Sequence, residues 1–341
     1  MSAMWRVVIA VMLAAATALA VAGCGGGGDA VPGAVSGLIG PAGGRLETGG
    51  IVVDVPLWAV PAAVEFLVAP LGAAQLPTPP NGLAVMAAGQ FEVSGVTQFA
   101  FPVSITFPLS ARLPAGRTLT LWEHDGGWGD SLFDAVVAGD RRSAEAQVSH
   151  FTIYAVLADY APLKVGATWT YHRIVQMTPD GGVPNPPQES TITATITGTE
   201  QLGGLDTFVW SESDPSNTKL YLHRGATELT LAGIQEPGQA LEVLPTPAKL
   251  LMLPPAAGQT WQVASLLDAA AQATVTAETV TVGAVEYDAM KVHIAPSPPA
   301  GGYLDLWFAP EVGPVKWRQA AVDPGVSTTV VEMDLQPHSF P

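Results

Sequence analysis

Short apolar runs with polar residues in alternate places recur along this chain, and Gly or Pro interrupts them. Ile51-Val52-Val53-Asp54-Val55 stops at Pro56, and Val64-Glu65-Phe66-Leu67-Val68 stops near Pro70. Phe91-Glu92-Val93 is followed by Phe101 to Phe107, then by Thr118 to His124, a turn at Asp125-Gly126-Gly127 and a return through Trp128. Val148 to Leu157 reads as the last strand of the series. Strands of about four to eight residues at this spacing predict an antiparallel β-sandwich over residues 35–157. Beyond a boundary at Ala158 to Ala161, Thr191 to Thr197 alternates threonine with aliphatic residues, and Thr274 to Val282 largely does. That pattern predicts sheet with one wet and one buried side, making the chain all-β. Asp180 to Pro187 is too rich in Pro and Gly to be other than a loop, and Ser265 to Gln272 is the one stretch suited to a short helix.

The N-terminus breaks this pattern. Arg6 precedes an apolar run, Val7 to Ala22 with Thr17 its one polar residue, which closes on Val21-Ala22-Gly23-Cys24 and opens onto four glycines. A charged start, an apolar middle and small residues at the end are the layout of a cleavable export signal over residues 1–23. A membrane-spanning helix would want about 20 apolar residues, more than this run supplies. A soluble secreted protein cleaved elsewhere is the other alternative.

Composition narrows the picture further. Charged residues make up only 13% and hydrophobic ones 48% of the chain, with 36 Gly and 30 Pro, which suits short strands and turns better than long helices. The net charge is −16, and removing the signal takes away Arg6 and no acid. A chain of that sign is repelled by nucleic acid and by anionic headgroups, so nucleic acid is excluded as a partner and charge is no means of membrane attachment. Cys24 is the only cysteine, so no disulfide can form within the chain and stability must come from burial.

Val21-Ala22-Gly23-Cys24 resembles the lipobox of bacterial lipoproteins. The resemblance implies that the Cys24 thiol receives a diacylglyceryl group, that cleavage precedes Cys24, and that its new amino group is acylated as well. At about 0.8 kcal/mol per buried methylene, two or three chains hold a protein on a bilayer almost permanently. Residues 24–34 would then be a flexible Gly-rich tether. In such lipoproteins an aspartate directly after the cysteine favours the inner membrane; Gly25 stands there, which implies the outer membrane.

Gly40-Pro41-Ala42-Gly43-Gly44-Arg45-Leu46, Val53-Asp54-Val55-Pro56 and His150-Phe151-Thr152-Ile153-Tyr154 resemble the bacterial form of the ZU-five domain, a β-sandwich. The family usually has a glycine near Leu57-Trp58, which this chain lacks. Pro162-Leu163, Val165-Gly166 and Trp169-Thr170-Tyr171 look like the start of a domain of exported bacterial lipoproteins. Val285 to Val292 and Leu306 to Lys316 are similar to its later part. That resemblance implies successive antiparallel strands of a curved, half-barrel-like sheet over residues 160–341 and assigns no activity.

Candidate chemistry is sparse. In some eukaryotic relatives of the sandwich a His-Phe-Ser tripeptide cuts itself, so Thr152 is a candidate nucleophile and His150 its base, with both on one face of a continuous strand. The plain alternative is a packed terminal strand. Gly126-Gly127-Trp128-Gly129-Asp130 invites comparison with glycine-aspartate calcium repeats, but it occurs once and reads better as a hairpin. The six histidines lie singly, without zinc-site spacing, and no phosphate loop, dinucleotide fingerprint or nucleophile elbow occurs. No cofactor, no metal and no enzyme activity are therefore expected. Trp169, Trp210, Trp261, Trp307 and Trp317 fall in the second region, as core or as the lining of a sugar or lipid groove. The first expectation is a lipid-anchored, non-enzymatic module that contacts other envelope proteins. The alternatives are a carrier of an apolar ligand in the curved sheet and a self-cleaving sandwich at Phe151-Thr152.

Overall fold

The computed structural model describes residues 32–213, 215–264, 271–296, 302–323 and 325–336. The first strands are β1 (Val35–Ile39), β2 (Gly44–Thr48), β3 (Ile51–Val55), β4 (Val64–Pro70) and β5 (Ala84–Val93). They are followed by β6 (Val103–Pro108), β7 (Thr118–His124), β8 (Trp128–Val137), β9 (Ser143–Val148) and β10 (Ile153–Ala158). All ten form one antiparallel sheet in the order β1-β4-β5-β10-β7-β8-β9-β6-β3-β2. The two ends of that order, β1 and β2, are adjacent in sequence and joined through a Gly40–Gly43 bridge, so the sheet wraps back on itself. Gly43 makes the turn possible: it sits at φ +75°, and a Cβ there would lie 2.5 Å from the Val55 carbonyl oxygen.

The expected strand Val148–Leu157 is in fact two. β9 ends at Val148, opposite Val103 of β6, whereas β10 begins at Ile153, between Gln90 of β5 and His124 of β7. Strands β7 and β8 separate β9 from β10 in the sheet, so residues 149–152 must cross from one side of the sandwich to the other. The Tyr154 hydroxyl donates to the His150 carbonyl at 2.9 Å and fixes this crossing, as a tyrosine corner does in other β-sandwiches.

The second sheet starts with β11 (Thr168–Pro179), β12 (Gln188–Leu202), β13 (Leu205–Glu212), β14 (Lys219–Arg224), β15 (Glu228–Gln235) and β16 (Glu242–Met252). It continues with β17 (Thr260–Val263), β18 (Ala271–Val282), β19 (Val285–Pro296), β20 (Tyr303–Ala309), β21 (Gly313–Asp323) and β22 (Ser327–Leu335). Almost every strand pairs with its neighbours in sequence, and the last, β22, pairs with the first, β11. The ladder is interrupted only between β16 and β17, where the Trp261 indole donates to the Lys249 carbonyl at 3.0 Å. The fold is thus all-β and antiparallel, as the pattern predicts, and the second sheet curves beyond a half-barrel to near closure. Residues 265–270 of the expected helix lie outside the described residues, and Ala271 and Gln272 open β18 instead.

Alternation explains the barrel wall. On β12, Ile192, Ala194 and Ile196 are buried while Thr191, Thr193, Thr195 and Thr197 face outward. The outer face is polar there, and apolar side chains line the inside. No helix among the described residues is long and apolar enough to cross a membrane.

The joint between the sheets is bonded, not loose. Arg112 meets Asp288 at 2.8 Å and Glu286 at 2.9 Å, and Arg142 meets Asp288 at 2.9 Å. Arg224 pairs with Asp159 at 2.9 Å, and Glu311 accepts from the Asp159 amide at 2.7 Å while pairing with Arg117. Tyr160 and Ala161, just past β10, are buried in a hydrophobic core that runs through both sheets.

Candidate functional site

Trp169, Tyr171 and Arg173 lie on one face of β11 by strand alternation, and this row runs up the inside of the barrel. The first two are buried, Trp169 stacking on Trp210 at 4.8 Å and donating its indole hydrogen to the Val312 carbonyl at 2.8 Å. The Tyr171 hydroxyl donates to Pro314 at 2.7 Å, and burial, then nearby Glu212, push its pKa well up. At this depth Ala161, Leu163 and Pro314 line the lower part of the interior.

Above this floor the interior is not filled. A narrow apolar crevice of about 30 Å³ lies among Trp210, Leu222, Leu306 and Phe308. Leu220, Leu250 and Trp317 line both this crevice and a wider cavity of about 400 Å³. The wider part is lined by Leu231, Ile234, Leu304, Val331 and Met333, together with the polar Arg173, Glu212, Ser216, Thr218, Glu236 and Gln319. The result is a cup, apolar below and polar at the rim, of the size and character of small-molecule sites. The Trp210 indole nitrogen, buried in the wall, has no hydrogen-bond partner among the described residues.

The five tryptophans of the second region therefore divide. Trp169 is core, Trp210 and Trp317 wall the cup, and Trp261 spans the seam of the barrel. Trp307 is on the outer side, its indole donating to Glu278 and its ring lying under Lys291 at 4.7 Å. Alternation along β20 marks this division, since Leu304, Leu306 and Phe308 point in while Asp305 and Trp307 point out.

His150 and Thr152 are not presented as a nucleophile and base on one strand face. Both lie in the crossing segment, and the His150 Nδ1 faces the Tyr154 hydroxyl at 3.2 Å. Glu123 stands 3.9 Å from its Nε2. Phe151 between them is held in an aromatic cluster, 4.8 Å from Phe99 and 5.5 Å from Phe91. The peptide bonds here are trans and φ is negative throughout 150–152, so the backbone shows no left-handed strain. Cys24, the lipid acceptor expected from the lipobox, lies outside the described residues.

Other candidates take structural places. Asp125 to Gly127 form the hairpin turn between β7 and β8, and Asp130 accepts the Leu132 amide at 2.8 Å. No group of three or more potential metal-ligating side chains occurs among the described residues. One pairing escapes sequence spacing: His293 Nδ1 meets the buried Asp305 at 2.6 Å, twelve residues away but directly opposite across β19 and β20. Lys291 meets the same carboxylate at 3.2 Å, and the three form a polar cluster on the outer wall.

No family model matches this chain, and no curated protein matches it either.

Proposed function

We propose that this chain is a non-enzymatic, lipid-anchored protein of the bacterial envelope whose barrel carries an apolar ligand in its cup. Acyl groups on Cys24 tether it to the outer membrane, and along the sequence the sandwich comes between tether and cup. The observation that carries the reading is the unfilled apolar interior. Protein interiors normally close-pack, and a lined void continuous with a polar mouth is the arrangement of a binding site. The cup favours this reading over a purely structural module that contacts envelope proteins. The self-cleaving sandwich has less support, since His150 is engaged with Tyr154 rather than Thr152.

Two measurements test the two halves of the reading. Metabolic labelling with a palmitate analogue should mark the native chain and spare Cys24→Ser; equal signals would remove the tether. In the full chain carrying Cys24→Ser, N-phenyl-1-naphthylamine should gain fluorescence on binding, and Leu220→Trp, which fills the cup, should abolish that gain. Unchanged fluorescence in Leu220→Trp would remove the cup.

A further inference from the structure

The cup has one cationic group at its mouth, and it is unpaired. Arg173 is half-buried, lines the cavity, and makes no side-chain hydrogen bond or ion pair among the described residues. Most other arginines in the described structure are bound: Arg112, Arg142, Arg117 and Arg224 all serve the joint between the sheets, and Arg45 pairs on the sandwich surface. Arg173 stands opposite Met333 of β22, which is in turn opposite Trp317 of β21, so the guanidinium borders the apolar wall directly.

The carboxylates that line the same cavity are placed differently. Glu212 pairs in register with Ala194, which is also opposite Trp169, so it belongs four residues lower on the ladder than Arg173. It already accepts the Ser216 hydroxyl at 2.5 Å. Glu236 follows the end of β15 and is exposed. Neither holds the guanidinium, so its five N–H donors are left for water or for a ligand.

We infer that the ligand is a single-chain amphiphile with an anionic head, its chain along the Trp317 wall and its carboxylate or phosphate on Arg173. This rests on the apolar cup of the proposed function and adds the chemistry of the head. An arginine fork matches the two oxygens of such a head, and a charge-assisted pair is roughly twice as strong as a neutral one.

Three ligands with one chain and different heads separate the possibilities: laurate, dodecanol and dodecyltrimethylammonium. Each is titrated calorimetrically below its micelle threshold into the full chain carrying Cys24→Ser. Laurate should bind roughly tenfold tighter than dodecanol, with the ammonium weakest. Arg173→Gln should reduce laurate to the level of dodecanol and leave dodecanol unchanged, while Arg173→Lys should retain part of the preference. Rising salt should narrow the laurate advantage in the unsubstituted protein, a readout that does not depend on any variant folding. Dodecyl phosphate in place of laurate shows which anion fits better. Equal binding of laurate and dodecanol, both lost in Leu220→Trp, would overturn the anionic head and leave the cup. Tightest binding of the ammonium would overturn it in favour of the rim carboxylates. Binding of none of the three would overturn the head and the cup together.

Discussion

The two sheets of this protein solve the same problem, a curved antiparallel wall with an apolar inside, and they finish it differently. In the sandwich, Phe66, Phe91, Phe99 and Phe151 meet with ring centroids 4.8–6.0 Å apart, and Phe107 and Tyr154 extend the cluster around Phe91. In the barrel the corresponding space is bordered by leucines and two tryptophans and stays partly open. Closing a larger number of strands makes a wider ring, which small aliphatic side chains cannot fill. The sandwich is therefore the part built for stability, and the barrel gives up packing for a cavity.

The largest expected effect tests this contrast directly. Phe91→Ala removes a ring that is 1% exposed and touches three aromatic neighbours, and should cost about 3–5 kcal/mol in a denaturant titration. Leu220→Ala, on the cup wall, removes atoms that already border empty space and should cost about 1–2 kcal/mol, below the usual range for a buried leucine. Equal losses at the two positions would mean that the cup is as well packed as the sandwich.

Much of the wall was legible in advance and the cup was not. Ile51–Val55 and Thr118–His124 have the bounds that their alternation suggests, because turn residues stop them on both sides. Phe91–Val93 turned out to be the end of the longer β5, whose first seven residues, Ala84 to Gln90, hide their alternation among alanines and glycine. Ser149 to Thr152 could not be recognised as a crossing: apolar Phe151 continues the pattern locally, and only the sheet order shows that β9 and β10 are not neighbours. Arg173 lies within an ordinary strand, and its importance comes from Met333 and Trp317, more than 140 residues on in the chain and set beside it by closure of β22 on β11. The curved sheet and the tryptophans pointed to a ligand groove as one alternative, without saying which residues would line it.

Trp169 and Trp210 form a stacked pair whose indole hydrogens are placed differently. The indole hydrogen of Trp169 is bonded to Val312, and that of Trp210 is buried without a partner among the described residues. Substituting either by Phe removes similar volume, so the difference between the two variants isolates the hydrogen bond. Trp169→Phe should be the more destabilising by about 1–3 kcal/mol, because it also strands the Val312 carbonyl. A Trp210→Phe loss as large as that of Trp169→Phe would reveal an acceptor at Trp210 in solution, and so place a water or ligand oxygen at the cup wall.

The smallest expected effect concerns whether the two sheets unfold as one. Burial alone would raise the pKa of Asp288, but the Arg112 amide, the Thr279 hydroxyl and the charges of Arg142 and Arg112 together hold it below its ordinary value of 3.8. A carboxylate depressed in the folded state stabilises above its unfolded pKa, and that contribution is lost as pH falls through the folded value. Glu311 is the opposite case: burial outweighs the Asp159 amide and Arg117 and raises its pKa, so its folded form is relieved as pH falls and strained at neutral pH. Asp288→Asn should therefore lower the melting temperature by on the order of a few °C at pH 7. The gap from the unsubstituted protein should narrow as pH drops below about 4, where the native carboxylate loses its advantage as well. Melting followed by both tryptophan fluorescence and far-UV circular dichroism at pH 7, 5 and 3.5 would read this, and two separated transitions in Asp288→Asn at pH 7 would identify the ion cluster as the coupling between sandwich and barrel. A gap that stayed constant with pH would show that Asp288 contributes through packing at the joint and not through its charge.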